Sequence, residues 1–304
     1  MLPLITILGS TACGKTHIAT EVAYRLGGEI ISADSRQVFR GMDIGTGKDL
    51  QEYHIHNTDI PYHLIDICDP GYEYSAGEFA RDFWHVYDQL QTIGKVPILC
   101  GGTGFYIESV LKQYPFEQVP ENTELRKKLS QQTDEELIHI LQTYIKPHNH
   151  TDTENRDRLL RAIEIQEYQH THTFEKRPNF ESIIFGITYP RKTTMERIRQ
   201  RLEQRLQEGM VDEVQKLLDN GVSAERLMRY GLEYRYVTLY LQKQIPYNEM
   251  VGKLNIAIRQ FAKRQMTWFR RMERNGLVIN WIDPEIGFEE KINYIIKKYL
   301  QRSK

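Results

Sequence analysis

The sequence predicts an α/β fold: a parallel sheet flanked by helices, with a mainly helical segment inserted into it. Continuous apolar runs such as Leu4-Ile5-Thr6-Ile7-Leu8 and Ile183-Ile184-Phe185-Gly186-Ile187 suit strands buried on both faces. Segments of helical period alternate with the strands in the first third of the chain. Between residues 116 and 178 the strand signal vanishes, and it resumes at 183.

Taken in order, the first strand ends in a Gly-rich turn that opens a helix over 16–26, closed by Gly27-Gly28. Strands follow at 29–33 and 62–66, then a helix over 75–91 closed by Gly94. Val96-Pro97-Ile98-Leu99-Cys100 is the next strand, running into Gly101-Gly102-Thr103-Gly104. In the inserted segment Thr133 and Glu136 form a capping box for a helix reaching 145, and a further helix covers 158–168. Beyond the 183–187 strand the chain reads as long helices over 193–220 and 248–274. The expected domains are a discontinuous core, 1–115 with 179–304, and a helical insertion, 116–178.

Composition narrows the function classes. The chain has 304 residues, 40% of them hydrophobic and 27% charged, with a net charge of -1. That is ordinary for a folded soluble protein and excludes coating of nucleic acid by bulk charge, though basic residues can still gather on one face. No run approaches the ~20 apolar residues of a membrane span. The N-terminus enters a strand without a basic leader, and Cys13, Cys68 and Cys100 show neither disulfide nor zinc spacing. A cytoplasmic monomer is expected.

Gly9-Ser10-Thr11-Ala12-Cys13-Gly14-Lys15-Thr16 matches the P-loop pattern, Gly, four residues, Gly-Lys-Thr. Its glycines let successive N–H groups and the helix N-terminus face an anion; Lys15 adds charge and the Thr16 hydroxyl suits Mg²⁺. The core is therefore P-loop NTPase-like, with a phosphate or diphosphate site. The carboxylate that usually completes a Mg²⁺ site is weakly signalled: Asp66 is the formal candidate, and the 96–100 strand ends in Gly-Gly-Thr instead. That turn is either a packing device or places Thr103 against a phosphate or leaving group. Asp34, at the C-terminal end of the second strand, is placed to cap a turn, pair with Arg36 or Lys15, or act as a general base, with Ser35 and Gln37 beside it.

Arg197, Arg201 and Arg205 share one helix face, and Arg259, Lys263 and Arg270 share another beside Trp268 and Phe269. Such stripes are usually solvated faces; with neighbouring aromatics they also suit a nucleic acid backbone and stacked bases. Arg156, Arg158 and Arg161 make a third cluster. The pairs His54/His56, His148/His150 and His170/His172 lack the companions of a metal site.

The string Ile31-Ser32-Ala33-Asp34-Ser35-Arg36-Gln37-Val38-Phe39-Arg40-Gly41-Met42-Asp43-Ile44-Gly45-Thr46 resembles the signature of the bacterial tRNA dimethylallyltransferases (tRNA isopentenyltransferases). So do the P-loop, Gly101-Gly102-Thr103-Gly104-Phe105-Tyr106, Arg158-Leu159-Leu160-Arg161-Ala162-Ile163-Glu164, and the run from Arg259 to Arg270, in family order along nearly the whole chain. The resemblance implies transfer of a dimethylallyl group from dimethylallyl diphosphate to the N6 amine of the adenosine 3′ of the anticodon. It implies Asp34 as the proton acceptor, Thr103 and Arg201 as stabilisers of the diphosphate, and Lys15, Thr16 and Mg²⁺ as the rest of the clamp. It implies tRNA contacts from Asp34, Ser35, Arg36, Gln37, Thr103, Arg126, Asp157, Arg158, Arg161, Arg235, Lys263, Arg264, Gln265, Trp268 and Arg270. Ser10, Cys13, Arg205, Met210 and Glu233 depart from the family's usual residues. A nucleotide kinase, an isopentenyltransferase of free adenine nucleotides and a non-catalytic RNA-binding protein are the competing readings.

Overall fold

A computed structural model describes residues 1–114, 116, 119–145, 156–173, 176–177 and 180–302. The elements in chain order are β1 (Leu4–Gly9), α1 (Lys15–Leu26), β2 (Glu29–Ala33), a 3-10 turn (Leu50–Tyr53), β3 (His54–Ile55), β4 (Thr58–Asp59), β5 (Tyr62–His63), α2 (Ala76–Thr92), β6 (Pro97–Gly101) and α3 (Gly104–Leu111). Then come α4 (Thr123–Leu129), α5 (Asp134–Tyr144), α6 (Arg156–Thr171), β7 (Ser182–Ile187), α7 (Arg191–Gln207), α8 (Met210–Asp219), α9 (Ala224–Leu227), α10 (Leu232–Leu241), α11 (Tyr247–Arg274), β8 (Ile279–Ile282) and α12 (Phe288–Arg302). The chain divides into a unit of Met1–Lys112 with Asn179–Lys304, and a second unit, Gln113–Pro178. Residues 115, 178 and 179, at the expected domain boundaries, lie outside the described residues.

The first unit is built on a six-stranded sheet of order β5-β2-β6-β1-β7-β8, each pairing parallel. Period-two alternation explains why its strands are apolar throughout. Ile5, Ile7, Ile30, Ile98 and Phe185 point to the side covered by α1 and α12, where they meet Ile18, Val22, Ile292 and Ile295. Leu4, Leu8, Ile31, Leu99 and Ile184 point to the other side, against Phe79, Phe83, Tyr106 and Phe269. Each such side chain removed from water contributes about 1.5–3 kcal/mol. A third core, of Ile198, Leu202, Val214, Tyr234, Leu254 and Ile258 among others, joins α7, α8, α10 and α11.

Several elements depart from the sequence expectation. The strand expected over 62–66 stops at His63, because Leu64 (φ 61) and Asp66 (φ 56) turn the chain through left-handed backbone. The helix expected over 193–220 is two helices broken at Gly209 (φ 99). β8 and α12 lie where no element was expected; β8 adds the last strand against β7.

The second unit packs α4, α5 and α6 around Leu129, Leu137, Leu141, Leu159 and Ile163. The Thr133–Glu136 capping box is formed at the start of α5, and Ile145 is the cap that ends it. Among the described residues no helix is long and apolar enough to cross a membrane.

Candidate active site

β1 delivers the chain into the P-loop, and Ala12 (φ 61) and Gly14 (φ 76) bend it through left-handed backbone before α1 begins. Gly9 is required by packing, since a Cβ there would lie 2.6 Å from Cys13 Sγ and from the Ile187 carbonyl. Ser10 and Cys13 turn inward and are buried, so this part of the loop offers backbone only. Thr11, Ala12, Gly14, Lys15 and Thr16 line an open cavity of about 650 Å³.

The C-terminal ends of β2 and β6 supply the next wall. The Ser35 amide donates to Thr103 Oγ1 (3.0 Å) and the Thr103 amide to the Ala33 carbonyl (3.1 Å), tying the two strand ends together. Asp34 Oδ1 accepts the Arg36 amide at 2.9 Å, which orients its carboxylate. Asp34, Ser35, Arg36, Gln37 and Thr103 all face the cavity. Gln37 is less free than a base-reading residue: its amide nitrogen donates to the Gly47 carbonyl (2.9 Å) and its oxygen accepts from Ser32 (3.0 Å). Burial lowers the Arg36 pKa, with Asp34 opposing the shift.

The third wall is cationic. Arg197, Arg201 and Arg205 of α7 line the cavity with Lys15, Arg36, Arg235 and Arg264, facing Asp34, Asp49, Glu52 and Glu233. Arg197 Nε donates to the Ala12 carbonyl at 2.7 Å, locking α7 onto the P-loop. Arg201 is paired with Asp49. Burial raises the pKa of Glu52, with Asp49 adding to the shift, and burial raises that of Glu233 against the pull of Arg205.

The 43–49 segment is held from behind. Glu213 accepts the amides of Asp43 (2.8 Å), Ile44 (2.7 Å) and Gly45 (3.0 Å) and the Tyr234 hydroxyl (2.7 Å). Lys48 is 1% exposed, donates to the Phe39 carbonyl at 2.7 Å and pairs with Asp43 and Asp66. Asp66 thus serves Lys48 and is not among the cavity residues, which corrects its candidacy as the P-loop's metal carboxylate.

The residues of α10 and α11 expected on the tRNA differ in placement. Arg235 and Arg264 are exposed at the cavity; Lys263 and Arg270 are exposed on α11 outside its lining. Gln265 is buried, its oxygen accepting the Thr11 amide (2.8 Å) and its nitrogen donating to the Gly102 carbonyl (2.9 Å), so its place is a strut between the P-loop and the β6 turn. Trp268 lies against Gly104, where a Cβ would come within 2.4 Å of the indole, with the Arg271 guanidinium 3.9 Å from the ring centroid. Stacking a base on that ring face requires Arg271 to move.

In the second unit, Arg126 (3.1 Å) and Arg161 grip the buried carboxylate of Glu164, and Arg161 also donates to the Val119 carbonyl (2.8 Å). Asp157 and Arg158 start α6. His54 pairs with Asp59 and His56 with Glu21, while His172 stacks on Tyr168. The His148/His150 pair lies outside the described residues.

Asp49 and Glu233 at the cavity and Glu213 behind it were not singled out for a site role from sequence, and Arg197 was named there only as part of the α7 stripe. The only local signal was the arginine spacing on α7; the rest depends on contacts far apart in the chain.

The sequence profile described as IPP transferase matches residues 37–272. A tRNA dimethylallyltransferase 2 of Phocaeicola vulgatus is 55% identical over 295 residues, covering 96% of each chain. Among solved structures, the tRNA isopentenylpyrophosphate transferase of Bacillus halodurans superposes with a TM-score of 0.73 at 31% identity, over 100% of this chain and 98% of that one. The corresponding enzyme of Staphylococcus epidermidis gives 0.71 at 32%, over 99% and 100%. The P-loop, the Asp34 and Thr103 strand ends and the arginine helix thus belong to a chain similar to these enzymes along its whole length, and this chain is a member of the IPP transferase family.

Proposed function

We propose that this protein transfers a dimethylallyl group from dimethylallyl diphosphate to the N6 amine of the adenosine 3′ of the anticodon in tRNA, releasing diphosphate. The observation that carries the reading is the shared cavity: a phosphate-cradling loop, a guanidinium wall and the Asp34 carboxylate open onto the same space. In the proposed reaction the amine nitrogen bonds to C1 of the allyl group while the C1–O bond breaks and its electron pair leaves with the diphosphate. The amine proton passes to Asp34. P-loop amides, Lys15, Thr103 and Arg201 balance the charge that develops on the leaving group.

Thr16 opens α1 beside Lys15 on the cavity, which suits Mg²⁺ in its usual mode of few protein ligands with waters and phosphate oxygens. When bound there the ion would neutralise diphosphate charge. The acceptor base must leave the anticodon-loop stack to reach Asp34. Ser35 and Arg36 are assigned to that base, with Gln37 behind them tied to Gly47 and Ser32, and Arg235, Lys263, Arg264 and Arg270, with Arg126, Asp157, Arg158 and Arg161 of the insertion, to the tRNA. We take the enzyme to be a cytoplasmic monomer.

The test is incubation with Mg²⁺, labelled dimethylallyl diphosphate and unmodified tRNA, followed by nucleoside mass analysis. Label on the adenosine beside the anticodon is expected, with Asp34→Asn reducing the rate by about 10²–10⁴. Label on AMP, or γ-phosphate moving from ATP to a nucleotide, would sink this reading.

A further inference from the structure

Arg205 is a cavity-lining arginine given no role above. It lies one helical turn beyond Arg201 on the same face of α7 and is 7% exposed. A cation so buried normally sits in hydrogen bonds to a carboxylate. Here Nε and Nη2 are buried without a hydrogen-bond partner. The balancing carboxylates stand back, Asp49 Oδ2 at 3.9 Å from Nη2 and Glu233 Oε1 at 3.9 Å from Nη1. Both distances suit through-space attraction and exceed the ~3.2 Å limit of an N–H···O bond. Asp49 is already taken by Arg201.

A second observation comes from Gly47. A Cβ built there would lie 1.5 Å from Arg205 Nη2 and 2.8 Å from Arg201 Nη2. The two guanidinium groups therefore converge on one point at the cavity wall, an arrangement that like charges oppose. Burial and the Arg201 charge both lower the Arg205 pKa. Converging guanidiniums with spare N–H donors, at the margin of a phosphate-binding loop, fit a multiply charged oxyanion.

We propose that Arg205 is a second arginine of the diphosphate site, its Nε and Nη2 groups taking phosphate oxygens of the allylic diphosphate beside Arg201. This rests on the transferase reading for the identity of the ligand. The alternative role, a purely structural partner of Glu233, predicts no effect on diphosphate once both charges are removed together.

The experiment titrates inorganic diphosphate with Mg²⁺, in the absence of tRNA, into the wild type, Arg205→Lys and the double variant Arg205→Gln/Glu233→Gln, with prenyl transfer to tRNA measured in parallel. The double variant leaves no buried carboxylate unpaired. Diphosphate affinity is expected to fall about tenfold in it and less in Arg205→Lys, with tRNA affinity held within about twofold. Wild-type affinity in the double variant, alongside prenyl transfer by the wild type, overturns the role of Arg205 and leaves the transferase reading intact. A wild type that binds no diphosphate overturns both. If the double variant does not fold, Arg205→Lys decides: an unchanged diphosphate affinity and an unchanged KM for the allylic diphosphate reject the proposal.

Discussion

Gln265 joins two parts of the site from far along the chain, 254 residues beyond Thr11 and 163 beyond Gly102. Its side chain satisfies the Thr11 amide in the P-loop and the Gly102 carbonyl in the β6 turn, and it is buried where water cannot replace it. Gln265→Ala orphans both groups, which costs about 2 kcal/mol and frees the P-loop to shift. The expected result is a lower melting temperature and a raised KM for dimethylallyl diphosphate, with the salt dependence of tRNA binding unchanged. A change confined to tRNA affinity would instead return Gln265 to the RNA interface. The same contact explains Gly102, because a Cβ there would meet Gln265 Nε2 at 2.5 Å. Gly104 is set likewise by Trp268. The sequence displays the Gly-Gly-Thr-Gly turn, but Gly101 is required by the Ala33 carbonyl on β2 and Gly102 and Gly104 by residues of α11, beyond any local pattern.

Among elements, the 43–49 segment depends most on remote support. Glu213, on α8, holds three of its amides and the Tyr234 hydroxyl, and a carboxylate suits this because every partner is a donor. Glu213→Gln replaces one acceptor by an NH₂ group facing donors. Stability is expected to fall by about 2 kcal/mol in denaturant unfolding. Since the segment carries Gly47 and Asp49, which position Arg201, KM for the allylic diphosphate should rise several-fold at unchanged tRNA affinity; a stability loss without a KM change would make the clamp structural only. The elements legible in sequence were those with local signatures: two-face-buried strands, the P-loop, the Thr133 capping box. The break at Gly209 was hidden because Ile198, Leu202, Leu206, Met210 and Val214 keep a four-residue spacing across it. β8 was hidden because four residues carry little periodicity and its partner β7 lies some ninety residues upstream.

At the scale of the molecule, a net charge of -1 coexists with a strongly basic cavity wall. The two facts are compatible because binding responds to local charge, and at physiological ionic strength fields decay over about 8 Å. Several arginines also carry contacts inside the protein: Arg126 and Arg161 to Glu164, Arg197 to the P-loop, Arg201 to Asp49. Exposed cations such as Lys263 and Arg270 remain available to a phosphate backbone without breaking a core contact. The two kinds of cation therefore separate experimentally. Lys263→Ala is expected to weaken tRNA binding and reduce the slope of log K against log salt by about 1, with kcat at saturating tRNA unchanged. In its proposed role on the leaving group, Arg201→Ala is expected to leave that slope unaltered and lower kcat by about 10²–10³. Binding isotherms over a salt series, with single-turnover rates on the same variants, measure both. Loss of tRNA affinity alone in Arg201→Ala would move that arginine from the diphosphate to the RNA.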